Sequence, residues 1–554
     1  MKQFTSSGYF PSWIRYIAAV FWIVPTALAT PSSLAAGSIT AEYGIIERSL
    51  SVDSLKIYAE QGKIEPDLRP FVHLLDSTQL EQLRTLLLAK VNLSEVTVSQ
   101  FLYTQQGEIL LRQLGEVIRT DANLSGFYAI RSAIILAAAD PDGLTLLNVL
   151  RQFPLEDVRV NLNRALQISG NLETLVRQSQ SAIALVEQQS KIEVIAQPWS
   201  NRESTLNLRS PGTFTWQKFT INVNNSNRNR SFPADIYLPQ TQAHVPVASA
   251  PVIVISHGLG SDRTTFAYLA EQLASYGFAV AIPEHPGSNA QQIQALVLGE
   301  VSQVMEPDEF INRPLDITAL LDTLSSLSQS GSRFSGRLDL KQVGVMGQSF
   351  GGYTALALAG AQFNIQQLAT DCSDQDILNV SLLLECQALA LPHPTPNLQD
   401  GRVKAVLAVN PIGSNLFRAS GYQNISIPVM IISGSNDTVA PSLLEQIRPF
   451  TWLETPDKYL VLLRGGTHFS TIDTSHSDGY EFDLPSAIIG PDPAIAYTYL
   501  KAMGVAFFET YVANNSSYQP YLSASYVETI SQALMPIDLV RSLPSTQLRQ
   551  ATQN

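Results

Sequence analysis

The sequence predicts an α/β fold, a mostly parallel doubly wound sheet, preceded by an all-α N-terminal domain. Three observations lead there. From about Ser38 to Gly170 apolar residues recur at helical spacing, as in Leu80, Leu83, Leu86 and Leu87. From about Leu206 onward, short apolar runs alternate with helical segments, the pattern of a parallel sheet covered on both faces. Finally, the chain has 554 residues, and single cores stop growing at roughly 250–300 residues. Two globular units are expected.

Residues 1–35 read as a secretory signal peptide. Lys2 and Arg15 precede an apolar run from Tyr16 to Ala29, and no acid occurs before Glu42. Ala27-Leu28-Ala29 and Ser33-Leu34-Ala35 both suit cleavage. The run holds 14 residues, including Pro25, short of the ~20 that a spanning helix needs. The expectation is an exported chain, periplasmic or extracellular, without a stable transmembrane span after processing.

Residues 38–170 form the expected all-helical domain. Thr78 with Glu81 makes a capping box. Helical runs follow at Val96–Tyr103, Gly107–Arg119, Gly126–Ala139 and Leu144–Gln152. Asp140-Pro141-Asp142-Gly143 stops one before the next. Residues 171–205 read as a helical connector, and 206–554 as the α/β domain. Its opening hairpin is Phe219–Val223 and Ala234–Leu238 around a turn of Asn and Ser. The further strands are Pro251–Ser256, Phe278–Ile282, Gln342–Met346, Val403–Val409, Val429–Ser433 and Tyr459–Leu463. Helices at Thr264–Ser275, Asp316–Leu327 and Gly352–Ala359 stand between them, and the Leu-rich insertion 361–400 falls where a cap would.

Composition removes several classes of function. A net charge of −13 with no basic run excludes a nucleic-acid stripe. Two Cys cannot make a disulfide framework or a Cys-rich zinc domain. No H-E-x-x-H or P-loop motif occurs, and Gly258-Leu259-Gly260 lacks the next glycine of a dinucleotide fingerprint. No metal and no cofactor are expected.

The chemistry concentrates in Val343-Gly344-Val345-Met346-Gly347-Gln348-Ser349-Phe350-Gly351-Gly352. This is G-x-S-x-G between a buried strand and a helix, where a nucleophile sits on a sharp turn and flanking glycines remove clashes. Ser349 is the candidate nucleophile. A serine needs a base, and the base an orienting acid. Asp437 follows the strand ending at Ser433, and His468 follows the last strand through Arg464-Gly465-Gly466-Thr467. Both lie at carboxyl ends of strands, where open α/β sheets hold their sites. His476, Asp473 and Asp478 are weaker alternatives, because no strand delivers them. Ser256-His257-Gly258-Leu259-Gly260 ends an upstream strand. The amides of Leu259 and Phe350 are the candidate oxyanion donors, with Gly258, Gly260 and His285 as substrate-binding candidates. His257 reads as structural, holding its loop by hydrogen bonds.

With these motifs in place, residues from about 206 to 515 resemble the α/β-hydrolase superfamily. His257-Gly258-Leu259-Gly260-Ser261, Glu284-His285 and Gly347-Gln348-Ser349-Phe350-Gly351-Gly352 are similar to its platelet-activating-factor acetylhydrolase and dienelactone-hydrolase-like branches. The chain departs from the commonest elbow, which has His where Gln348 stands, and from true dienelactone hydrolases, whose nucleophile is Cys. The first region, with Tyr43-Gly44 and Glu47-Arg48-Ser49-Leu50-Ser51-Val52, resembles the helical domain of unknown function found on cyanobacterial hydrolases.

The resemblance implies a serine hydrolase acting on a small-molecule or lipid carboxylic ester. The competing readings are a catalytically silent envelope binding or assembly protein and an amidase or peptidase using the same triad. The sequence sets no oligomeric state. Export also bears on Cys372 and Cys386, the only two Cys and both within the insertion. In an oxidising compartment they are expected to pair.

Overall fold

The computed structural model describes residues 36–73, 76–199, 206–243, 245–373, 378–473 and 489–553. The signal peptide expected at residues 1–35 lies outside them, as do His476 and Asp478. The chain divides into two compact units, one ending at Ser99 and resuming over Leu110–Ala165, the other Gln100–Ile109 with Leu166 onward.

The first unit is mostly helical but not all-α, which corrects the expectation. Strands β1 (Ser38–Tyr43), β2 (Ile46–Ser51), β3 (Ile118–Arg119) and β4 (Asp157–Asn161) form a sheet of order β2-β1-β4-β3. β1 and β2 are an antiparallel hairpin, and β4 lies parallel to β1 in register Ser38↔Asp157. The hydroxyls of Ser38 and Thr40 donate to Asp157 Oδ1 at 2.7 and 3.0 Å. Only Leu50 of β2 is buried, so no alternation of apolar residues marks that strand in the sequence. β1 acquires its second neighbour from the far end of the unit, which local pattern cannot reveal. The capping box also shifts: Asp76 accepts from the amides of Thr78 and Gln79, and Gln79 Oε1 accepts from Asp76 N. The connector expected from residue 171 is part of one helix, Leu162–Ala196, that runs through Gly170. A single helical glycine costs only about 1 kcal/mol.

The second unit has the expected architecture. Its strands are β5 (Thr215–Asn225), β6 (Arg230–Gln240), β7 (Ala250–Ser256), β8 (Ala279–Pro283), β9 (Leu338–Gln348), β10 (Val403–Val409), β11 (Val429–Gly434), β12 (Lys458–Leu463) and β13 (Ile537–Val540). They are ordered β13-β12-β11-β10-β9-β7-β8-β6-β5. Neighbours from β8 through β12 run parallel. The pairs β5–β6, β6–β8 and β12–β13 run antiparallel. The edge strand β13 carries only four residues and gives no usable periodicity.

Alternation along the strands explains the two-sided core. Val252 and Val254 pack into one apolar cluster with Leu320, Leu324 and Leu356. Ile253 and Ile255 face the other, with Leu269, Leu273, Tyr499 and Phe507. Successive strand side chains point to opposite faces, so helices must cover both. Within the insertion 361–400, Leu368, Leu382 and Leu391 join the first cluster, and Cys372 is bonded to Cys386 with their Cα atoms 5.8 Å apart. A cavity of about 400 Å³ beside it is lined by Asp371, Leu382, Arg418, Arg448 and Trp452, and not by Ser349, Asp437 or His468. No helix among the described residues is long and apolar enough to cross a membrane.

Candidate active site

β9 ends at Gln348 and the helix Phe350–Leu358 begins two residues later, so one residue must turn the chain. That residue is Ser349, with φ 56° and ψ −117°. A positive φ costs a non-glycine residue about 1–3 kcal/mol and persists only where neighbours enforce it. Here the Ser349 amide donates to Val409 O at 2.9 Å, and Tyr353 N donates to Ser349 O at 3.0 Å. The glycines around it answer to backbone crowding. A Cβ on Gly347 would stand 2.0 Å from Gly351 O, and one on Gly351 would stand 2.0 Å from Ser256 O.

The loops after β11 and β12 bring the other two groups to the serine. His468 Nε2 lies 2.9 Å from Ser349 Oγ, and His468 Nδ1 lies 2.7 Å from Asp437 Oδ2. Asp437 is oriented by its own loop, since Oδ1 accepts from the amides of Val439 and Ala440 at 2.9 and 2.7 Å. All three side chains are buried. Nδ1–H bound to the carboxylate leaves Nε2 free to accept the hydroxyl proton.

Two further residues hold this arrangement. Gln348, the departure from the commoner His, donates Nε2–H to His468 O at 3.1 Å. Its Oε1 stands 2.4 Å from where a Cβ on Gly258 would be, so a side chain there would push the Gln348 amide aside. Asn410, at φ 42°, accepts from Gly434 N at 2.8 Å and donates to Thr467 O at 3.2 Å. It thereby ties the ends of β10 and β11 to the histidine loop. Sequence reading missed Asn410, although its place just past a parallel strand was a usable signal.

The upstream loop also reaches the elbow, because Gly351 sits against Ser256 and His257. The amides of Leu259 and Phe350 donate to no other described residue, and Gly260, at φ 72°, donates to Ser288 O at 2.9 Å. His257 is fully buried, and its Nε2 accepts from His285 N at 3.1 Å. The proton therefore sits on Nδ1, which donates to Gly258 O at 2.8 Å. Burial first, then the Arg313 charge, lowers its pKa to about 3. His285, expected to bind substrate, is corrected. It is 0 % exposed, Nε2 is 3.0 Å from Ser256 Oγ and Nδ1 is 3.2 Å from Asp316 Oδ2. Burial and Arg313 hold it well below the ordinary imidazole range. A strand-end position did not make it accessible, because the helix Glu309–Gln329 supplies its partner. Among the described residues, no three His, Cys, Asp or Glu side chains are grouped to hold a metal.

Comparison with known proteins finds similarity to hydrolases. Residues 35–161 match a family model described as an alpha/beta hydrolase of unknown function, and residues 233–311 match platelet-activating factor acetylhydrolase, isoform II. The chain is similar to hydrolase ffsE of Aspergillus flavipes, 32% identical over 23% of this chain and 27% of the relative. It is 24% identical to cutinase 2 of Thermobifida cellulosilytica over 49% of this chain and 71% of that protein. It is 24% identical to the platelet-activating factor acetylhydrolase of Bos taurus over 52% of this chain and 62% of the relative. The matches therefore span from 27% to 71% of these relatives' lengths. Strand order, the strained serine between strand and helix, and these similarities fit the α/β-hydrolase superfamily.

Proposed function

We propose that this chain is an exported serine hydrolase that cleaves carboxylic esters, short-chain or lipid-like, through an acyl-enzyme. One observation carries the reading: Ser349 Oγ, on a strained turn, lies 2.9 Å from His468 Nε2 while Asp437 holds Nδ1 at 2.7 Å. Relatives named cutinase and platelet-activating factor acetylhydrolase favour an ester substrate. Residues 1–35, which precede the described chain, are the proposed export signal.

The chemistry follows from the placement. Ser349 Oγ attacks the acyl carbon as its proton passes to His468 Nε2. The carbonyl electron pair moves onto oxygen, where the amides of Leu259 and Phe350 receive it. Collapse breaks the acyl–oxygen bond, and the leaving alcohol takes the proton from His468. Water then repeats the sequence against the acyl-enzyme, releasing the acid and restoring Ser349. Throughout, the Asp437 carboxylate holds the imidazole and stabilises its charged form.

The test is labelling by a fluorophosphonate, alongside turnover of p-nitrophenyl esters of increasing chain length. The wild-type chain should label at Ser349 and hydrolyse the esters, and Ser349→Ala should lose both with its fold intact. Faster cleavage of a peptide amide than of every ester would overturn the ester assignment. An unlabelled, folded wild type would favour a silent scaffold instead.

A further inference from the structure

Behind the oxyanion loop lies a buried cation that the mechanism above does not use. Arg313, on the helix Glu309–Gln329, is 0 % exposed. Burying a guanidinium costs several kcal/mol unless acceptors and opposite charge surround it. Glu309 and Asp316 of the same helix are close, but Arg230 binds both at 2.8 and 2.7 Å. Arg313 Nε and Nη1 make no hydrogen bond to a described residue. The guanidinium's own contacts run elsewhere. Nη2 donates to His257 O, in the loop that carries Gly258 and Leu259, and Cζ lies 4.6 Å from the centre of the Phe350 ring.

The local sequence explains how this residue is held there. Pro314 lies inside the helix and has no N–H, so the Phe310 carbonyl four residues earlier loses its helical donor. Tyr353 Oη donates to that carbonyl at 2.6 Å. The Phe310 ring packs edge-on against Phe350 and Tyr353, at 4.9 and 5.1 Å between centroids. The start of this helix is thus fastened to the helix that follows Ser349, and its next residues reach the opposite loop.

Resting on the serine-hydrolase reading, we propose that Arg313 is a positioning residue: by holding the His257 carbonyl and the Phe350 ring together, it sets the spacing of the Leu259 and Phe350 amides that receive the oxyanion. Lysine would keep the charge but lose the flat face over Phe350 and the fixed direction of Nη2. Methionine would fill much of the space and lose both.

The experiment compares wild type, Arg313→Lys, Arg313→Met and Phe350→Leu in the full chain, with competent sites counted by fluorophosphonate titration. The readouts are kcat and KM on a p-nitrophenyl ester, and the affinity of an alkyl trifluoromethyl ketone that forms a tetrahedral adduct. A displaced oxyanion donor should lower kcat per competent site by about 10- to 100-fold, with KM within about twofold. Ketone affinity should fall by a similar factor, with Arg313→Lys the mildest of the three. Wild-type kcat per competent site in both Arg313 variants would overturn the proposal. So would a loss matched wholly by fewer competent sites, or failure of all three variants to fold, since Arg313 would then serve folding alone. A wild type that neither labels nor turns over is a separate outcome, and it would sink the hydrolase reading itself.

Discussion

Asp437→Asn should disable the site without unfolding it, and the structure dictates why. Asp437 Oδ1 accepts from two backbone amides, Val439 N at 2.9 Å and Ala440 N at 2.7 Å. In the asparagine variant only the carboxamide oxygen can occupy that place, because an NH₂ group there would face two donors. The NH₂ group must then sit where Oδ2 stood, 2.7 Å from His468 Nδ1. It donates, so Nδ1 must accept, and the imidazole proton moves to Nε2. Nε2 then points a proton at Ser349 Oγ, 2.9 Å away, and cannot remove one. In triad hydrolases this wrong tautomer costs about 10⁴ in kcat, or about 5.5 kcal/mol of transition-state stabilisation. The loop's two amide bonds survive, so thermal stability should change little. The assay is kcat on a p-nitrophenyl ester at neutral pH, with circular dichroism and Tm as the fold control. Turnover within about tenfold of wild type would refute both the tautomer argument and the role given to Asp437.

Three further outcomes are expected. Burial raises the Glu509 carboxyl from 4.5 to about 7, opposed by a bond from Asn515 Nδ2 at 3.3 Å. An acid with a raised folded pKa contributes stability in full below the unfolded value and loses it as pH rises through the folded one. Glu509→Gln should therefore raise stability by about 1–3 kcal/mol at pH 8 and converge on wild type near pH 5, and a pH-independent Tm difference would contradict this. Gly351→Ala would place a Cβ 2.0 Å from Ser256 O and 2.8 Å from His257 O. Because both are backbone atoms, it should cost at least about 1–3 kcal/mol and lower turnover, and wild-type Tm and kcat together would refute it. Cys386→Ser should lower stability by about 3 kcal/mol, since the bond to Cys372 closes a loop over a sequence separation of 14. Alkylation of both thiols in exported, unreduced wild-type protein would count against that bond.

Much of this protein is local, and local features can be read from sequence. The parallel strands are largely apolar because both faces are buried, so each appears in the chain as a short apolar run. Ser349 is equally legible, because the G-x-S-x-G pattern between a buried strand and a helix is contiguous in the chain. Asp437 and His468 follow from chain order, since a parallel sheet delivers its loops to one edge. Features that depend on distant partners did not show. β1 pairs with the adjacent β2, but its second neighbour, β4, comes from the far end of its unit. His285 ends a strand as an accessible residue would, yet Ser256 and Asp316 enclose it. Arg313 carries no sequence signal, because it, His257 and Phe350 lie on three separate segments of chain. The sequence by itself determined which residues could do the chemistry and at which edge of the sheet they emerge. Tertiary structure alone decided which buried polar groups support them, because burying such a group is tolerable only beside partners that folding brings together.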